Sequence, residues 1–197
     1  MTEPESNISP VRLEAFSDGV LAIIITIMVL EIHPPHGHDL AAWKDSIPVL
    51  LAYLISFIFL AIYWNNHHHL LRATKHITPG VMWANMLLLF FLSLIPVTTG
   101  WIGSSENYKY SIPVAVYASF CLLAGFSFNA LAQAIIKADP TNTKVAELSK
   151  SKKGVISPIL YLLSIGMAFV SPLLSIFIIV ATSALWFIPD KRLTTAS

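Results

Sequence analysis

Arg12-Leu13-Glu14-Ala15-Phe16-Ser17-Asp18-Gly19-Val20-Leu21-Ala22-Ile23-Ile24-Ile25-Thr26-Ile27-Met28-Val29-Leu30 decides how this chain is read. The stretch opens with charge, and no charged residue follows Asp18 within it. A helix needs ~20 mostly apolar residues to cross ~30 Å of hydrocarbon. The rest of the chain has the same character, at 55% hydrophobic and 12% charged residues. Soluble domains carry about 25% charged residues. A surface so poor in charge cannot be covered for water, so the fold class expected is an all-α integral membrane protein. The net charge of +1 gives no electrostatic basis for nucleic acid.

Outward from that stretch, apolar runs define six candidate spans, at about 12–32, 47–70, 80–100, 112–136, 154–170 and 173–188. They form one transmembrane domain over residues 1–197. Pro48, Pro79, Pro113 and Pro172 fall in first turns, where a missing N–H costs little. Pro189 follows the last span, and Pro96 and Pro158 predict local bends. Residues 154–188 as one helix would run ~52 Å, so Val170-Ser171-Pro172 is read as a turn. Six spans place Arg12, Arg72, Lys75, Lys137, Lys144, Lys150, Lys152, Lys153, Lys191 and Arg192 on one side, against Lys44 and Lys109 on the other. Positive residues mark the cytoplasmic side, so both termini are expected there, in a multi-pass protein of the cell membrane. The acidic Met1-Thr2-Glu3-Pro4-Glu5 opening does not suit a secretory signal. The single cysteine, Cys121, allows no disulfide within one chain. The polar, basic loop from about Lys137 to Lys153 reads as a solvated connector that fixes orientation, with a lipid headgroup contact as the alternative.

Topology then groups polar residues by depth. The second span runs inward and ends Tyr63-Trp64-Asn65-Asn66-His67-His68-His69, and the third begins with Trp83 and Asn85 in its first turns. These share a level with Ser17 and Asp18. An intramembrane charge costs roughly 2.5–3.5 kcal/mol at the bilayer centre and less near the interface, so Asp18 needs partners. Indole, imidazole and amide N–H groups all donate to a carboxylate. A hydrogen-bonded layer locking three helices is the plain reading, and a proton or cation site at Asp18 the sharper one. Three consecutive histidines point ~100° apart and cannot converge on one ion, so no metal site is expected there. His33, His36 and His38 beside Glu31 and Asp39 read as a solvated outer loop, with an external pH or metal effect as the alternative.

Above this layer Ile23, Ile27 and Leu30 share one face at i, i+4, i+7, with Thr26 at its edge. Asp18 lies ~140° around the helix from Ile23, so that face meets lipid, another helix or a symmetry axis. No HExxH, GxSxG, phosphate loop or CxxC is present, so no enzyme and no cofactor are expected.

Arg12-x-x-x-Phe16-Ser17-Asp18-Gly19-Val20 resembles the signature that opens the first helix of the lysosomal potassium channel family and its prokaryotic homologues. Trp64 with its following histidines, Asn85 and Pro96 extend the resemblance along most of the chain. It implies a homotetramer in the lipid bilayer around a central pore lined by the first helix, with one six-helix repeat per chain. It further implies conduction of monovalent cations, potassium over sodium, without a carbonyl-lined filter, and the chain has no TVGYG-like loop. By position, the hydrophobic constriction falls on Ile23, Ile27 and Leu30, with Thr26 as a polar layer. Arg12, Phe16, Ser17 and Asp18 would brace the first helix against Trp64, His67 or His68, and Asn85. A proton-coupled transporter using Asp18 and a histidine as relay is the rival reading, and a non-conducting scaffold the third.

Overall fold

A computed structural model describes residues 9–34, 43–44, 46–149 and 151–187. His36, His38, Asp39, Lys150, Pro189, Lys191 and Arg192 lie outside the described residues. All regular structure described is helical. Helix α1 spans Pro10–Ile27 and tightens into a further turn at Met28–Glu31. Ser9 caps it, its hydroxyl accepting from the Arg12 N–H, and Pro10 follows where no partner for its nitrogen is needed. Then come α2 (Ile47–Arg72), α3 (Pro79–Ser93), α4 (Ile95–Gly103), α5 (Ser111–Ala138), α6 (Thr143–Ser149), α7 (Lys152–Ala168) and α8 (Pro172–Ala184).

Among the described residues, four segments are long and apolar enough to cross a membrane: Pro10–Glu31, Ile47–Arg72, Pro79–Gly103 and Ser111–Ala138. The third is broken at Leu94, between α3 and α4. Pro96 explains the break, because it offers no N–H and its ring crowds the carbonyl four residues back. Pro158, by contrast, is accommodated within α7. The six-span count is not met by length. α7 has 17 residues and α8 has 13. At 1.5 Å each they reach ~26 and ~20 Å, short of ~30 Å. The turn at Phe169–Val170 and the Ser171 cap, near the expected Val170-Ser171-Pro172 turn, take residues from both helices. The expected 137–153 connector also contains α6.

α7 and α8 form an antiparallel hairpin along α5. Ala168, at its tip, packs on Val114 and Ala115 at the start of α5. The Ser164 and Ser175 hydroxyls meet at 2.8 Å between the two arms. Trp186 Nε1 returns to donate to Ser157 Oγ at 2.8 Å, and its ring lies edge-on to Phe128 of α5.

Polar contacts also fix which helix ends lie together. Trp64 near the end of α2 reaches Asp18 in α1. Asn142, after α5, donates to the Ala73 carbonyl, after α2, at 2.7 Å. That end therefore gathers the start of α1 and α3 with the ends of α2 and α5, and with them Arg12, Arg72, Lys75 and Lys137. At the other end Gly103 lets α4 approach α2 closely. A Cβ placed there would lie 2.7 Å from the Val49 Cα. Backbone cannot yield as a side chain tip does, so Gly103→Ala is expected to cost about 1–3 kcal/mol, read as a lower thermal midpoint in detergent.

Candidate functional site

The buried face of α1 is Leu13, Ser17, Leu21, Ile24 and Met28. Their spacing of four, four, three and four residues is one stripe of a helix packed against a bundle. Ser17 is the single polar member and is fully buried. Its burial is tolerable because its hydroxyl both accepts and donates. Asn85 Nδ2 donates to Ser17 Oγ at 2.9 Å, and Ser17 donates to the Leu13 carbonyl at 2.8 Å. Asn85 Oδ1 in turn accepts from His67 Nε2 at 2.7 Å. That assignment fixes the imidazole proton on Nε2, since Oδ1 can only accept. Asn85 and His67 are as fully buried as Ser17. The chain His67–Asn85–Ser17 thus ties α2 and α3 to α1.

A second set flanks it, half-buried. Trp64 Nε1 donates to Asp18 Oδ1 at 3.0 Å, and His68 Nδ1 lies 2.8 Å from Glu14 Oε1. The indole and the His68 ring stack at 5.9 Å. The register explains the pairing: α1 and α2 run antiparallel, so one turn along α2, from Trp64 to His68, matches one turn back along α1, from Asp18 to Glu14. Neither His67 nor His68 hydrogen-bonds Asp18. The two histidines divide between the two sets because they point ~100° apart on α2.

Of the residues expected to brace, the structure brings together Ser17, Asp18, Trp64, His67, His68 and Asn85. It does not bring in Arg12 or Phe16, which are exposed. Phe16 is 50% exposed and sits seven residues before Ile23, so ~100° per residue puts both on one face. Glu14 was not expected at the site. Its signal was present: it precedes Asp18 by four residues, one helical turn, on the same face.

The opposite side of α1 is left bare by the rest of the chain. Ile23 is 61% exposed, Ile27 41% and Leu30 73%. Thr26 is exposed too, and its hydroxyl bonds back to the Ala22 and Ile23 carbonyls at 2.9 and 3.0 Å. Leu30 sits in the tightened turn, which rotates it slightly off the stripe. A separate buried hydroxyl cluster, unforeseen from sequence, lies beside the α3–α4 break. Thr99 Oγ1 donates to Ser56 Oγ at 2.7 Å, and Ser56 meets the Tyr117 hydroxyl at 2.9 Å.

Comparison with known proteins bears on both faces of α1. The sequence profile of the endosomal/lysosomal potassium channel TMEM175 matches residues 12–96, which hold the brace and the bare stripe alike. A potassium channel of Chryseobacterium sp. (strain P1-3) is 45% identical over 183 residues, covering 92% of this chain and 94% of that protein. A potassium channel of Streptomyces collinus is 30% identical, covering 81% and 82%. The crystal structure of a lysosomal potassium-selective channel TMEM175 homolog from Chamaesiphon minutus superposes with a TM-score of 0.79 at 28% identity, over 90% of this chain and 95% of that one. With a profile seated on the Phe16-Ser17-Asp18 helix and relatives alike over nearly their whole length, the chain belongs to the TMEM175 family.

Proposed function

We propose that this chain is a potassium-selective channel of the cell membrane, assembled as a homotetramer with α1 from each subunit lining a central pore. The observation that carries this is the division of α1. One face is buried and hydrogen-bonded to α2 and α3, while Ile23, Ile27 and Leu30 stand uncovered on the other. A helix held rigidly from behind, with an aliphatic row in front, suits a pore wall. The names of the relatives as potassium channels support the same reading. In it, six crossings place both termini in the cytoplasm. The α7–α8 hairpin supports this by reaching the start of α5 and returning.

Rings of aliphatic side chains exclude water when narrow, so the constriction would gate by dewetting. Potassium would be favoured because it sheds hydration water at lower cost than sodium, with no carbonyl cage required. Thr26 would present the hydroxyl oxygen's remaining lone pairs just above Ile23, its proton being held by its own helix. Conduction on this reading needs the permeant ion and no cofactor or catalytic group. Against a proton relay through Asp18 stands its partner: the bond goes to an indole, which does not titrate.

The test is a liposome flux assay with a potassium gradient and a sodium gradient run in parallel. Potassium flux well above sodium flux, resolved as unitary steps in planar bilayers, is expected. Equal fluxes would remove the selectivity, and saturating proton-coupled uptake without unitary steps would replace a channel by a transporter.

A further inference from the structure

The half-buried set at the α1–α2 contact gathers two carboxylates and an imidazole. Oxygens of Glu14 and Asp18 and a ring nitrogen of His68 lie within 4.8 Å of one another. Among the described residues, neither carboxylate is ion-paired to a lysine or arginine. Trp64 occupies Asp18 Oδ1 and leaves its other oxygen open. His68 Nδ1 is shielded from solvent and makes no well-directed hydrogen bond, although Glu14 Oε1 is 2.8 Å away. The close pair is thus not consumed by a well-aligned hydrogen bond, and an Asp18 oxygen lies within 4.8 Å of both atoms.

We infer that Glu14, Asp18 and His68 form a binding site for a divalent transition-metal ion, which when occupied clamps α1 to α2. Imidazole and carboxylate together suit zinc, cobalt, nickel and iron. Donors ~2.0–2.2 Å from such an ion lie about 3 Å from each other, which matches the Glu14–His68 separation. Rotation of the Asp18 carboxylate about its own χ angles brings its open oxygen in, while water completes the shell. The ligands come from two helices, which is why the run His67-His68-His69 showed no such site by itself: one histidine goes to the ion and its neighbour to Asn85. Trp64 then acts from outside the shell, orienting Asp18 and stacking on the ligand ring. The inference rests on the brace geometry alone and not on permeation.

The test is a Co2+ titration of the purified full-length chain, with Zn2+ as competitor, in a background carrying His33→Ala, His36→Ala and His38→Ala to silence the outer loop. Tryptophan fluorescence and titration calorimetry are read together, because the indole at position 64 stacks on the proposed ligand. Saturable quenching at one ion per chain is expected, reversed by Zn2+. Glu14→Gln and His68→Asn should each weaken binding tenfold or more, His68→Cys should retain it, and Trp64→Phe should abolish most of the quench while keeping the heat. Unchanged affinity in folded Glu14→Gln or His68→Asn overturns the site, as does the absence of saturable binding. If His68→Asn aggregates, His68→Cys decides, binding kept supporting the site and binding lost overturning it. No ion gradient is involved, so a null flux in liposomes leaves this result standing, and a null titration leaves the conduction reading standing.

Discussion

Ile23→Asn is expected to lower the preference for potassium over sodium by at least tenfold, seen as a shift of the bi-ionic reversal potential toward zero. Ile23 is 61% exposed within its subunit, so the exchange removes no interior contact and should alter folding by less than ~0.5 kcal/mol. In the proposed pore it would do the reverse of what the isoleucine does. An aliphatic ring costs an ion its hydration water, whereas a ring of amides offers donors and acceptors that replace it for either cation. A tenfold loss corresponds to ~1.4 kcal/mol of differential barrier, less than the ~2–3 kcal/mol that one aliphatic side chain gains on leaving water. Ile24→Asn is the matched control. One residue along, Ile24 is 3% exposed, so the amide lands in the core and the damage is to stability. A reversal potential unmoved by Ile23→Asn would take the constriction away from this residue.

The second large effect is at Asn85. It is fully buried and is the one side chain bonded to both α1 and α2 from α3. Asn85→Ala removes the acceptor of His67 and the donor to Ser17 at once. Interhelical hydrogen bonds in membranes are worth ~0.6 kcal/mol on average and up to about 1.7. The orphaned His67 N–H adds a desolvation penalty of ~1–3 kcal/mol. A total loss of about 2–4 kcal/mol is expected, measured as a fall in the midpoint of thermal unfolding in detergent. Trp83→Ala, on the same helix with a side chain 69% exposed, should change little in that assay. Equal midpoints for the two variants would mean that the buried chain of bonds is not what fastens α3 to α1.

Much of this fold was legible from run length and charge. The four long crossings follow from apolar stretches too long for a soluble helix and bounded by proline. The α7–α8 hairpin was not legible in the same way, because run length cannot show where a turn takes residues from both arms. At the site, depth matching brought Ser17, Asp18, Trp64, the histidines and Asn85 to one level. Pairing within that level depends on helix rotation and register, which no single helix contains. His67 turns to Asn85 of α3 and His68 to Glu14 of α1 because adjacent residues on α2 point ~100° apart. Phe16 is a different case. Its adjacency to Ser17 and Asp18 in the motif suggested a shared task, but ~100° per residue already placed it on the face of Ile23.

The hairpin bears on how the chain enters a bilayer. α8 with its 13 residues falls short of the ~20 that cross a bilayer alone, and α7 with 17 sits at the lower limit. What each lacks alone the two share: the Ser164–Ser175 contact joins their arms, and α5 provides the wall they lie along. On the proposed six-crossing reading the two would enter as one unit against α5, with the turn at 169–171 crossing and residues 152 and 153 at the near surface. Two short helices that lean on each other and on α5 would then make assembly ordered, with α5 placed first.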